Sequence, residues 1–206
     1  MVSEKQYWEQ NAPRYDKAMK LLGGPLPMAK EWSAAAVEGL GAVLEVASGT
    51  GLFTVALAPK VGQLVATDYA GAMVEQTKKR VEAAGLANVR CEVADIASLP
   101  YEDGAFDAVV AANVLHLVPD LGKTLGSLGR ILRPGGKLVA PTFCHEETFL
   151  SRLTSRVLGP IARFPGQRRF SVKSLAQAIE EAGFRVVKAE AIPGLLPIGY
   201  VEAEKG

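Results

Sequence analysis

The sequence predicts an α/β fold: a doubly wound sheet of seven strands, mostly parallel with an antiparallel last strand, behind a helical N-terminal cap. Three observations carry this. From Val43 onward, short apolar runs and amphipathic helical stretches alternate five times, the pattern of parallel strands joined by crossover helices and covered on both faces. Glycine and proline punctuate the joints, at Gly49, Gly51, Gly85, Gly104 and Pro134-Gly135-Gly136. The 206 residues are 49% hydrophobic and 22% charged, enough for one domain with a substantial core and too apolar for a disordered chain.

Charge and cysteine content exclude several classes. With 23 basic and 22 acidic residues the net charge is +1, so no global field marks a nucleic-acid binder. Cys91 and Cys144 are too few for a disulfide framework and read as small buried residues of a reducing compartment. Cys144, His145 and Glu146 are consecutive, and consecutive side chains rarely converge on one ion, so no metal is expected. The N-terminus carries Glu4, Lys5 and Glu9 with no apolar signal segment, and the longest uncharged runs fall short of the ~20 residues of a membrane span. A cytoplasmic chain is expected, as a monomer or homodimer.

Residues 1–36 precede the alternation as the helical cap, with Tyr7, Trp8, Tyr15, Met19, Leu21 and Leu22 apolar and Gly23-Gly24-Pro25 as a break. Residues 37–144 form the cofactor-binding core. Val43, Leu44 and Val46 read as the first strand, and residues 52–57 as a packed helix that Pro59 stops. The second strand, residues 64–67, ends at Asp68. A helix over 71–84 follows, with Met73, Val74, Thr77 and Val81 on one face and Gly85 closing it. Residues 88–93 make the third strand and deliver Asp95 to the same sheet edge as Gly49 and Asp68. Residues 106–111 make the fourth, and the Pro-Gly-Gly turn feeds the fifth.

Residues 145–170 leave the alternation. Phe149, Leu150, Leu153, Val157, Leu158 and Ile161 recur at helical spacing, with Arg152, Arg156 and Arg163 on another face and Arg168 and Arg169 following. This amphipathic insertion is expected as a lid, or as a helix packed on the sheet with its arginines solvated. Residues 171–206 hold the last helix, over 172–182, and strands at 184–189 and 197–203. The short loop between those strands makes a hairpin, so the last one runs antiparallel to the rest.

The first strand ends in Glu45-Val46-Ala47-Ser48-Gly49-Thr50-Gly51, a loop whose glycines let a ligand lie directly on the main chain beside a helix start. Asp68, seventeen residues after Gly51, is placed to accept both hydroxyls of a ribose. Two cofactors use such a joint. The dinucleotide fingerprint needs a third glycine where this chain has Thr54, and has no use for an acid four residues before the first glycine, where this chain has Glu45.

The Glu-x-x-x-Gly-x-Gly loop with an acidic second strand end resembles the first two motifs of the class I S-adenosylmethionine-dependent methyltransferases, which have a Rossmann-like fold. Residues 106–118, Phe-Asp-Ala-Val-Val-Ala-Ala-Asn-Val-Leu-His-Leu-Val, and the Arg133-Pro134-Gly135-Gly136-Lys137-Leu138 turn resemble later motifs of that family, so the resemblance spans Glu45 to about Ala140. It implies that Glu45, Ala47, Ser48, Gly49 and Gly51 wrap the amino-acid half of the cofactor. Asp68, with Tyr69 and Met73 after it, holds the ribose side; Asp95 and Ile96 take the adenine; Asn113 and Val114 approach the methionine portion. The segment containing Tyr15 resembles the leading segment of small-molecule methyltransferases, which folds over the cofactor. His116 and His145 are the candidates for general base or acceptor-orienting group.

The implied activity is methyl transfer from S-adenosylmethionine to oxygen, nitrogen or carbon of a small molecule, leaving S-adenosylhomocysteine. The greasy, basic insertion also suits a quinone or phospholipid headgroup at a membrane surface. A non-catalytic S-adenosylmethionine-binding protein is the reading from another class.

Overall fold

The computed structural model describes residues 24–147 and 168–206. Tyr7, Trp8, Tyr15, Met19, Leu21 and Leu22, and the insertion's apolar residues with Arg152, Arg156 and Arg163, lie outside the described residues. The expected alternation appears as β1 (Ala42–Val46), α2 (Thr54–Leu57), β2 (Gln63–Asp68), α3 (Gly71–Ala83), β3 (Val89–Val93), β4 (Phe106–Ala111), α4 (Leu121–Ile131) and β5 (Leu132–Val139), after a helix α1 (Leu26–Ala36). The chain closes with β6 (Thr142–Phe143), α5 (Val172–Glu181), β7 (Phe184–Ile192) and β8 (Ile198–Lys205). No helix among the described residues is long and apolar enough to cross a membrane.

The strand order is β3-β2-β1-β4-β5-β8, with β7 on the outer side of β8. β1 to β5 are parallel, and β8 runs antiparallel to β5 and β7 as the hairpin requires. Eight strands stand where seven are expected, and Pro141 is the reason. Val139 pairs with Glu202, Ala140 N–H donates to Val201 O, and Thr142 and Phe143 then pair with Gly199 and Ile198. β6 is thus the continuation of β5 along β8, interrupted where proline has no N–H for the ladder. A second departure lies in Arg133-Pro134-Gly135-Gly136, which is a bulge inside β5: Phe106 pairs with Leu132, and regular pairing resumes at Ala108 and Lys137.

Strand parity sends successive side chains to opposite cores. Leu44, Val46, Val109, Ala111 and Leu138 pack with Leu125 and Leu128 of α4 and Leu175 and Ile179 of α5. Val43, Ala108, Val110 and Val139 pack with Leu26 and Ala29 of α1 and Leu57 of α2. Pro59 does not end the second of these helices abruptly; it tightens it into a 3-10 turn over Ala58–Lys60. Cys144 is buried as expected, and burial pushes its thiol up to about 12. Cys91, on the edge strand β3, is only half-buried.

Beside Cys144, β8 leaves no room for a side chain at Gly199: a Cβ there would lie 2.5 Å from Cys144 Sγ and 3.2 Å from Val172 Cγ2. Overpacking of this kind costs about 1–3 kcal/mol, so Gly199→Ala is expected to lower the urea midpoint accordingly. An unchanged midpoint would mean that the seam between β6 and α5 yields enough to admit a methyl group.

Candidate active site

The sheet reverses its winding at β1, with β2 and β3 on one side and β4 and β5 on the other. In such a sheet the crevice outside the carboxyl ends of the strands at this reversal is where ligands bind. Gly49 (φ +57°) and Gly51 (φ +81°) turn the loop after β1 through the left-handed region. Gly51 also lets α3 lie against the loop, since a Cβ there would be 3.2 Å from Thr77. Thr77 Oγ1 donates to Gly49 O at 2.9 Å and sits 3.4 Å from Ser48 Oγ. Asp68 completes the frame: Oδ2 accepts from Gly49 N–H and Oδ1 from Ala70 N–H, each at 2.9 Å. Burial nonetheless raises its pKa above the ordinary carboxylate range.

Glu45 shares the face of β1 that looks toward α2, and Thr54 Oγ1 donates to its Oε2 at 2.6 Å. The residue that stands in place of a third glycine therefore serves the acid that the dinucleotide fingerprint lacks. Glu45 is 1% exposed, and burial, aided by the nearby Asp68 charge, lifts its pKa to about 8 against the lowering by Thr54. Its folded-state pKa is raised, so the folded chain holds an extra proton between about pH 4.5 and 8. Stability is therefore lost as pH rises through that window and is flat above it, Asp68 contributing with the same sign. Glu45→Gln is expected to flatten the fall of melting temperature across this range. A variant curve parallel to wild type would assign the proton elsewhere.

The strand ends enclose a cavity of ≈ 390 Å³, within the ordinary range for small-molecule sites. Ala47 and Gly49 reach it from β1, Asp68, Tyr69 and Met73 from β2 and α3, and Ala94 to Ala97 from β3. Asn113 and Val114 follow from β4, and Leu117 to Asp120, Lys123 and Thr124 complete the wall. A smaller cavity of ≈ 30 Å³ adjoins it, lined by Glu45, Ser48 and Asn113 and by Leu26 of α1. Ala47 (φ +52°) and Asn113 (φ +54°) are the non-glycine residues held in the left-handed region among those described, and both line the two cavities. Strain of this kind collects at ligand sites, although asparagine tolerates it better than alanine. Asn113 N–H donates to Pro141 O at 2.7 Å, while its side-chain Oδ1 is buried with no hydrogen-bond partner among the described residues. Asp95 Oδ1 caps its own loop by accepting from Ala97 N–H at 2.8 Å, and Ile96 is half-buried beside it.

Among the expected site residues, Glu45, Ala47, Ser48, Gly49, Asp68, Tyr69, Met73, Asp95, Ile96, Asn113 and Val114 thus meet at these cavities, with Gly51 supporting the loop from behind. Tyr15 lies outside the described residues. The two histidines do not line either cavity. His116 is buried with its ring edge-on to Phe143 (centroids 6.3 Å apart) and 6.0 Å from His145. Burial, then His145, holds its pKa down to about 3, so the ring is neutral and a poor proton acceptor near pH 7. His145 is half-buried, its pKa lowered by burial and by Arg169. Sequence proximity to Asn113 misplaces His116, because the chain turns it away while Val114 and Leu117 face the cavity. Thr54, Thr77, Lys123 and the Leu117-Val118-Pro119 wall are the additions. Thr54 left a trace in the sequence as the missing glycine, and Leu117 and Val118 lie in the motif over 106–118, whereas nothing marked the bond of Thr77 to the loop or Lys123 at the wall.

Residues 44–140 match the family described as a methyltransferase domain. A demethylmenaquinone methyltransferase of Thermus thermophilus is 38% identical over 64% of this chain and 62% of its own length. A ubiquinone/menaquinone biosynthesis C-methyltransferase of Geotalea daltonii is 30% identical over 68% of this chain and 62% of its own. The chain thus spans about three fifths of the length of these relatives. In fold it is similar to a SAM-dependent methyltransferase of Aquifex aeolicus, with a TM-score of 0.74 and 24% identity over 96% of this chain and 98% of the other. The stretch 44–140, which gathers the glycine loop, Asp68, Asp95 and Asn113 at the reversal of the sheet, is thus similar to methyltransferase domains, and the chain shares the fold of a SAM-dependent methyltransferase.

Proposed function

We propose that this protein transfers a methyl group from S-adenosylmethionine to a small-molecule acceptor. The observation that carries this reading is that the ends of four parallel strands supply, around one cavity, acceptors of the kinds the cofactor needs. Glu45 and the unpartnered Asn113 Oδ1 at the smaller cavity suit an ammonium, which only donates. Asp68 accepts backbone N–H groups of Gly49 and Ala70 on its two oxygens, and a carboxylate's four lone-pair positions leave room for a ribose hydroxyl as well. Asp95 suits an exocyclic amino group, and Ile96 and Met73 give apolar surface to a ring.

When bound, S-adenosylmethionine supplies a methyl group on a positively charged sulfur, ready for in-line displacement. The protein's contribution is alignment, since orientation can supply on the order of 7 to 11 kcal/mol of the barrier. Gly49 and Asn113 fix the backbone around the site, and Val114, Leu117 and Val118 give it an apolar wall that excludes water. His116 is not the group we assign to remove an acceptor proton; His145, half-buried and near the start of the insertion, is the better candidate.

A quinone acceptor is the second reading, favoured by the names of the relatives and by the apolar cavity wall. A phospholipid headgroup is less well supported, because the guanidinium of Arg168, one of the basic residues that suggested it, is bonded to backbone carbonyls.

Calorimetric titration with S-adenosylmethionine, S-adenosylhomocysteine and NAD tests the cofactor. Micromolar binding of the first two and none of NAD is expected, and preference for NAD would overturn the reading. Asp68→Ala should weaken S-adenosylhomocysteine binding about 10- to 100-fold, as a lost charged hydrogen bond contributes roughly 1.5–3 kcal/mol. Unchanged affinity would remove Asp68 from the site. Transfer of labelled methyl from the cofactor to a demethylated quinone tests the acceptor; cofactor binding with no transfer to any acceptor would place the chain among non-catalytic binders.

A further inference from the structure

The stretch between β4 and α4 that forms one wall of the cavity has no regular secondary structure, so its backbone groups need partners from elsewhere. At its start Asn113 N–H donates to Pro141 O, and within it Leu117 N–H donates to Val114 O at 2.8 Å. Toward its far end, three bonds come from one residue some fifty positions away in the chain. Arg168 N–H donates to His116 O at 3.0 Å, its Nη1 to Val118 O, and its Nη2 to Pro119 O at 2.8 Å. His116 and Val118 are buried, so water is a poor substitute for these bonds. Leu117, Val118 and Pro119 meanwhile line the cavity.

Arg130 performs a comparable task on the loop after β3, where Nη1 donates to Tyr101 O and Nη2 to Leu99 O. That guanidinium also pairs with Asp103 and serves a loop whose bonded carbonyls lie beyond the cavity lining. The carbonyls taken by Arg168 belong to Val118 and Pro119, which themselves line the cavity.

We propose that Arg168 is a positioning residue for the cavity, its planar fork setting the Leu117-Val118-Pro119 wall by bridging two successive carbonyls. The proposal rests on the reading of this cavity as the S-adenosylmethionine site. A guanidinium presents several donors in a rigid plane, whereas a lysine ammonium is a point charge on a flexible stem and does not reproduce the bridge. The role is therefore one of geometry rather than charge.

The test uses the full chain with Arg168→Ala, Arg168→Lys and, as a control, Arg185→Ala, whose side chain pairs with Glu204 on the β7–β8 hairpin. Both Arg168 variants are expected to weaken S-adenosylhomocysteine binding about tenfold or more, since a site loosened at its supporting shell loses preorganisation, while the control leaves it unchanged. Amide hydrogen exchange should rise within residues 112–120 and remain slow in β1, β4 and α4. Methylguanidine, but not methylamine, should restore affinity to Arg168→Ala. Wild-type affinity in Arg168→Lys would overturn the proposal, as would a rise in exchange spread evenly through the sheet, which would make Arg168 a general stabiliser. If the wild-type chain fails to bind S-adenosylhomocysteine, the cofactor reading falls. The positioning role is then judged on exchange alone: faster exchange confined to residues 112–120 in Arg168→Lys supports it, and unchanged exchange overturns it.

Discussion

The carboxylate of Asp68 joins the two loops that make the floor of the cavity, one oxygen accepting the N–H of Gly49 and the other that of Ala70. Strand order makes this possible, because β2 lies beside β1 and ends level with the glycine loop. A carboxylate 5% exposed would be costly without such donors, and two backbone N–H groups are what allow it to stay there. Thr77 completes the frame from α3 by donating to Gly49 O, so the loop is held by a carboxylate at its N–H and a hydroxyl at its C=O. The left-handed turn at Gly49 orients both groups for these partners.

Electrostatics around this frame are one-sided. Asp68, Asp95 and Asp120 line the main cavity and Glu45 the smaller one, while Lys123 stands exposed at the edge. A dinucleotide brings a doubly negative pyrophosphate, which such a cavity would repel. S-adenosylmethionine brings a sulfonium and an ammonium, which it would attract. Burial of Glu45 with its proton lets the free protein avoid a second buried charge beside Asp68, and a bound cation would make the ionised form favourable. The proposed preference for S-adenosylmethionine thus rests on charge as well as on the Thr54 that replaces a glycine.

The parts of the molecule legible in the sequence are those with a period or a fixed offset. Short continuous apolar runs gave β1, β2 and β4, and the offsets from the glycine loop to Asp68 and Asp95 followed from strands of ordinary length ending at one edge. Bonds between distant residues leave no such trace. Nothing in the pattern around Thr77 or Arg168 signals a hydrogen bond to Gly49 O or to the carbonyls of Val118 and Pro119. The break of β5 at Pro141 was hidden because the resumed ladder is only two residues long. His116 shows the reverse error: in an irregular turn, adjacency in sequence says little about which way a ring faces.

All residues lining the larger cavity, from Ala47 to Thr124, fall inside the stretch 44–140 that matches the family. In the proposed function, cofactor recognition would therefore fall to the matched part of the chain. Arg168, which we propose braces that cavity, and His145 fall outside it. Because one fold hosts many acceptors, the choice of acceptor has to come from residues outside the shared strand ends. The likeness to quinone methyltransferases spans about three fifths of those relatives' length, so the proposed acceptor depends on these outlying residues. Arg168 connects the two regions, since the wall it is proposed to brace belongs to the matched stretch while Arg168 itself lies near the end of the insertion.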